Sequence, residues 1–183
     1  MPNHCYNTFT IYGTPKELAK VKAFVKTKVP KATPAKELVS SLTEEVVIKD
    51  FDFNAVKPYP KKFAMMDKNG EEETKKGNWG FKNGFNSGGY DWCCKNWGTK
   101  WNSYDGEGME EEDDYLRYSF TTAWSPPTPI FEAISKKFPS LEIETSWTEE
   151  GGMEGEHNFL GGETTYEESH ESEREEEEEE VDK

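Results

Sequence analysis

Cysteine is scarce in this 183-residue chain: there are three, Cys5, Cys93 and Cys94, and the last two are adjacent. That count excludes a disulfide framework and a CxxC zinc site. It also excludes a protein-held iron–sulfur cluster, which needs four thiolates. No apolar run approaches the ~20 residues of a membrane span, and the first twenty residues hold no apolar stretch of the signal-peptide kind. Histidine is limited to His4, His157 and His170, which are widely separated. No GxSxG, HExxH, phosphate-binding loop or GxGxxG-to-helix motif occurs. Basic residues are outnumbered, 22 Lys and Arg against 37 Asp and Glu, for a net charge of −15. Phosphate backbones would be repelled at long range, so direct nucleic-acid binding is not expected. These absences lead us to expect a cytoplasmic, non-enzymatic protein with no cofactor, metal or membrane contact.

The acidity is concentrated at one end. Residues 163–183 carry twelve acidic and two basic residues, a net of −10, leaving −5 for residues 1–162. A run such as Glu175–Glu180 repels itself and has no apolar face, so 163–183 is expected to be a disordered acidic tail beyond a single domain, 1–162. The shorter run Glu110–Asp114 reads as a solvated hairpin tip, since metal ligands alternate with spacers.

Within the domain, Asn7–Tyr12 alternates Phe9 and Ile11 with threonines, a strand closed by Gly13. Thr14, Pro15 and Glu17 form a capping box with proline at the first helical position, and Leu18, Val21 and Val25 give the helix its apolar stripe. Residues 29–89 lack clear periodicity and are read as a long irregular insertion. Tyr90–Trp97 suits a short helix. Thr99–Tyr104 and Tyr115–Trp124 read as hairpin arms, and Ser125-Pro126 as a helix cap and first turn. Ile130, Phe131, Ile134 and Phe138 mark a second helix, followed by strands at Leu141–Trp147 and Met153–Leu160. This order predicts an α+β fold, a ferredoxin-like split β-α-β sandwich: an antiparallel sheet with two helices on one face.

Several strings occur in order: NHCYN near the start, FDFN at 51–54, YDWC at 90–93, NWGTKWN at 96–102 and YSFTTAWSPP at 118–127. Together they resemble the YubB-type ferredoxin-like family of phage and plasmid proteins, over roughly residues 3–160. Gly106 and Gly108 depart from that pattern, where relatives continue a strand with apolar residues. The resemblance implies the fold and a bacterial host, and no activity.

Tryptophan is concentrated: Trp79, Trp92, Trp97 and Trp101 are four of the six. Such a cluster is either a packing knot or the wall of a site, since indoles are costly to hydrate and their N–H groups need partners when buried. Trp101, at the expected strand start, is read as core. The mixture of rigid aromatics with amide, hydroxyl and ammonium groups also suits a polar-ligand pocket. The candidate ligand-binding residues are therefore Trp92, Asn96, Trp97, Thr99, Lys100, Trp101 and Trp124. Their expected occupant is a host protein or a small nucleotide-like ligand, with Lys100 supplying charge to the latter. The alternative is an unrecognised enzyme using carboxylates such as Asp91 or Asp105 beside the same cleft.

Overall fold

The computed structural model describes residues 3–27, 49–80 and 82–172. The chain runs β1 (His4–Tyr12), α1 (Pro15–Val25), α2 (Phe53–Val56), α3 (Lys61–Lys75), a 3-10 turn (Phe85–Ser87) and α4 (Gly89–Trp97). It continues with β2 (Tyr104–Glu111), β3 (Tyr115–Ala123), α5 (Thr128–Lys137), β4 (Glu142–Glu149), β5 (Met153–Leu160) and β6 (Glu163–Glu171). Among the described residues the strands form one six-stranded sheet in the order β2-β3-β1-β4-β5-β6. Every neighbouring pair is antiparallel. The first four strands with α1 and α5 make the ferredoxin-like unit, and β5 and β6 extend its edge.

Alternation explains the layering. Phe9 and Ile11 of β1 share a face with Leu116, Tyr118 and Phe120 of β3 and Ile143 of β4, and that face is buried beneath Leu18, Val21 and Val25 of α1 and Ile130, Phe131 and Ile134 of α5. Burying a large apolar side chain contributes roughly 1.5–3 kcal/mol, so this shared core is the main source of stability. The capping box of α1 is formed, with Glu17 closing back on Thr14.

Several expectations are corrected. The acidic tail does not begin at Glu163: residues 163–171 form β6, paired with β5 from Leu160↔Glu163 to Met153↔Glu171. All nine side chains of β6 are exposed, so backbone pairing holds the strand and its composition gives no apolar signal. Residues 173–183 lie outside the described residues, as does the stretch 29–48 of the expected insertion. The described part of that insertion is not irregular, since it carries α2, α3 and the start of α4. Phe51 and Asp52 lead into α2, whose N-cap Asp52 accepts a hydrogen bond from Asn54 N. The first hairpin arm lies later than 99–104, at Tyr104–Glu111, and carries a bulge between Tyr104 and Gly108. Ser125 does not cap α5. Pro127 occupies that position, and Ser125 Oγ donates to Gly98 O at 2.7 Å.

The three thiols are free; Cys5 and Cys93 are buried and Cys94 is half-buried. Burial pushes the Cys5 and Cys93 thiols from 9.0 up to about 12. The thiolate is the nucleophile, so these two should resist alkylation until the pH nears that range. Iodoacetamide at pH 8 is expected to modify Cys94 alone, read by mass spectrometry of peptides. Adducts on Cys5 or Cys93 in a protein with native circular dichroism would contradict this packing.

Candidate functional site

The tryptophan-rich segment begins on α4, which is bounded by two left-handed glycines, Gly88 and Gly98. Gly98 is required where it stands: a Cβ there would lie 2.7 Å from Pro129 Cδ, and its φ is +80°. Chain direction changes at this point, and the seven candidate residues separate into two groups.

The first group is structural. Trp97 is 4% exposed and joins the core. Its indole N–H donates to Lys57 O at 2.9 Å. Its ring meets Phe53, Tyr59 and Trp92, with centroids 5.9, 5.9 and 5.4 Å away. Trp92 is half-buried and packs against the same cluster. Asn96 spends its amide on Trp92 O at 2.8 Å. Thr99 is buried at the end of β3: its hydroxyl donates to Ala123 O at 2.8 Å and accepts from Ala123 N at 3.1 Å. These four residues do not line an open cleft.

The second group faces solvent. The Lys100 ammonium lies 4.7 Å from the Trp101 ring centroid and 4.8 Å from that of Trp124. One cation thus holds two indoles, an interaction of roughly 0.5–1 kcal/mol at each exposed ring. Trp101 is half-buried, which corrects its reading as core. Trp124 is 44% exposed, and its φ is +73°. A left-handed conformation is a genuine outlier for a bulky residue. It is held by the hydrogen bond from Trp124 N to Asn3 O, 3.0 Å, and by the Thr99 clamp one residue earlier.

The aromatic surface continues on both sides. Tyr90 meets Trp124 edge-on at 6.3 Å, and Trp101 meets Tyr104 at 6.4 Å. Tyr104 shares a 2.8 Å hydrogen bond between its hydroxyl and His4 Nδ1, and His4 stacks on exposed Tyr6. Burial raises the pKa of the Tyr104 phenol, so it remains a hydrogen-bonding group at neutral pH. Tyr90 and Tyr104 flank the candidate residues in sequence, whereas sequence reasoning did not bring His4 or Tyr6 to this site. The pairing of His4 with Ala123 brings the chain start to this end of the sheet, and nothing local to His4 announces it.

Of the carboxylates in the enzymatic alternative, Asp91 lies in the first turn of α4 and Asp105 in β2; both are exposed. Among the described residues, no group of three or more His, Cys, Asp or Glu side chains is placed to hold a metal ion. Nor is any helix among them long and apolar enough to cross a membrane.

The buried and exposed groups should respond differently to truncation. Trp97→Ala is expected to cost about 3–5 kcal/mol, as large aromatics in cores do. Trp101→Ala should cost about 1 kcal/mol, because its ring packs only at the surface. Urea denaturation followed by circular dichroism checks both; equal costs would mean the division is wrong.

The ferredoxin-like domain of Api92-like proteins is matched over residues 96–183. No curated protein matches the chain. In three dimensions the chain is similar to the crystal structure of a protein api92 from Yersinia pseudotuberculosis, with a TM-score of 0.51 at 11% identity, covering 95% of this chain and 99% of that one. At that identity the likeness speaks for the fold alone, and residues 96–183 are similar in sequence to the ferredoxin-like domain of Api92-like proteins, a match that leaves out β1 and α1.

Proposed function

We propose that this chain is a non-enzymatic interaction protein of a phage or plasmid, which meets a host protein through the aromatic ledge formed by Lys100, Trp101, Trp124, Tyr104 and Tyr6. The observation that carries this reading is Trp124, a large indole exposed on a left-handed backbone. Such strain costs on the order of 1–3 kcal/mol and clusters at functional sites. Burying the indole elsewhere would be the stabilising choice, and its exposure suits a partner that buries it instead. Tryptophan, tyrosine and neighbouring cations are the residue types that dominate protein–protein binding energy. Lys100 pre-organises the ledge by holding both rings, which reduces the ordering cost of association.

A nucleotide-like ligand is less well supported. Its anion would need the Lys100 ammonium, and that charge already lies over two indole faces. The chain's net charge of −15 favours a basic partner by long-range steering.

Two measurements test this. Trp124→Gly should be about 1 kcal/mol more stable than Trp124→Ala, because both remove the indole and only glycine relieves the left-handed penalty. The reverse order, usual for ordinary backbone, would mean that Trp124 is not strained. Immobilised protein incubated with host lysate should retain a partner that Trp124→Ala holds at least tenfold less well. Retention that is unchanged in Trp124→Ala and Lys100→Ala would contradict the ledge as the working surface.

A further inference from the structure

Beside the ledge, and sharing only Tyr104 with it, the two-strand edge of the sheet is opened by the bulge in β2. Between the pairs Tyr104↔Thr121 and Gly108↔Ser119, β2 spends three residues where β3 spends one. The extra residues are accommodated by Asp105 at φ +44° and Gly108 at φ +125°. Bulges of this kind are designed features that recur next to binding sites. Behind this one lies a pocket of about 310 Å³, lined by Lys49, Asp50, Phe51, Ser103–Gly106, Gly108 and Tyr118–Phe120.

The pocket is built from rigid parts. Phe51 stacks on Phe120 with centroids 4.7 Å apart and lies 5.0 Å from Tyr118, giving an aromatic floor. The segment carrying Phe51 is stitched to the segment before β2. Ser103 Oγ donates to Phe51 O at 2.7 Å, Asn102 Nδ2 donates to Asp52 at 2.7 Å, and the Lys49 ammonium donates to Ser103 O. Tyr118, 2% exposed, has a buried hydroxyl with no hydrogen-bond partner among the described residues. An unpaired buried hydroxyl costs roughly 1–3 kcal/mol and calls for an explanation. Lys49 is half-buried, and its desolvation lowers the ammonium pKa.

We propose that this pocket binds a small, neutral, planar ring compound carrying a carbonyl beside a ring N–H, the lactam edge that free nucleobases and pyridones present. The aromatic floor favours a flat ring. Tyr118 and Lys49 are donors for its carbonyl, and the Asp105 and Asp50 carboxylates accept from its N–H. The same two carboxylates disfavour phosphorylated or carboxylated relatives. A volume of about 310 Å³ is at the small end of ligand sites, which suits one or two fused rings. This inference is independent of the protein-interaction reading, since neither Trp101 nor Trp124 takes part.

Titrating the full-length, ¹⁵N-labelled protein with 2-pyridone and with uracil tests it, with benzoate as the planar anion. The amide signals of Gly106 and Gly108 are expected to shift saturably with both lactams, and benzoate should bind at least tenfold more weakly. Tyr118→Phe removes only the unpaired hydroxyl, so it should melt no lower than the parent protein, and higher if the hydroxyl is unsatisfied, and weaken lactam binding about tenfold. Asp105→Gly, which keeps the left-handed backbone, should weaken it similarly and serves if the first variant fails to fold. No saturable shift with either lactam, benzoate binding as well as they do, or affinity unchanged in the variants would overturn the proposal.

Discussion

Thr99 and Ala123 exchange two hydrogen bonds, and the arrangement of the aromatic end of the sheet depends on that exchange. It ties the exit of α4 to the end of β3. Trp97, two residues before, is committed to the core, while Lys100 and Trp101 emerge beside Trp124. Gly98 makes the turn possible because Pro129 occupies the space a side chain would need. Ser125, just past the same end of β3, reinforces it by donating to Gly98 O. Removing the Thr99 hydroxyl would release both buried hydrogen bonds of the clamp, at roughly 0.5–1.5 kcal/mol each, and with them the conformation of Trp124.

The clamp explains why one short segment provides both packing and surface. Whether the tryptophans form a knot or a wall is decided by helix geometry. Trp92 and Trp97 lie on α4 and meet each other and Tyr59, so they face inward together. Trp101 lies past Gly98, the left-handed glycine that ends α4. The ring of Trp79, 82% exposed, takes no part in either group.

Much of the fold was legible. β1, the capping box of α1, α5 and β5 all follow from period and capping signals carried by neighbouring residues. The missed elements share a different cause. β6 is exposed on both faces and acidic, so composition points to a solvated tail while backbone pairing with β5 decides the outcome. α3 carries Gly70 mid-helix and buries only that residue and Phe63. Its stripe is too sparse to read, yet Gly70 lies where a Cβ would crowd Asn83 at 3.3 Å. The bulge at Asp105–Gly108 moved the first hairpin arm; Gly106 and Gly108 signalled an irregularity but not its register. At the site, Lys100, Trp101 and Trp124 were legible as residue types. His4 and Tyr6 were not, because strand pairing brings them there from a distant part of the chain.

The Thr99 clamp divides the tryptophan-rich end into a buried half and a presented half, and on that division the rest of the account stands. Fluorine NMR of protein labelled with 5-fluorotryptophan, with each signal assigned by substitution, measures this directly through accessibility to a soluble paramagnetic quencher. Trp97 should be protected and Trp124 strongly broadened, with Trp101 intermediate; Thr99→Val should change the Trp124 and Trp101 signals while leaving Trp97 protected. Equal protection of Trp97 and Trp124, or a Thr99→Val protein with all three signals unchanged, would contradict the account.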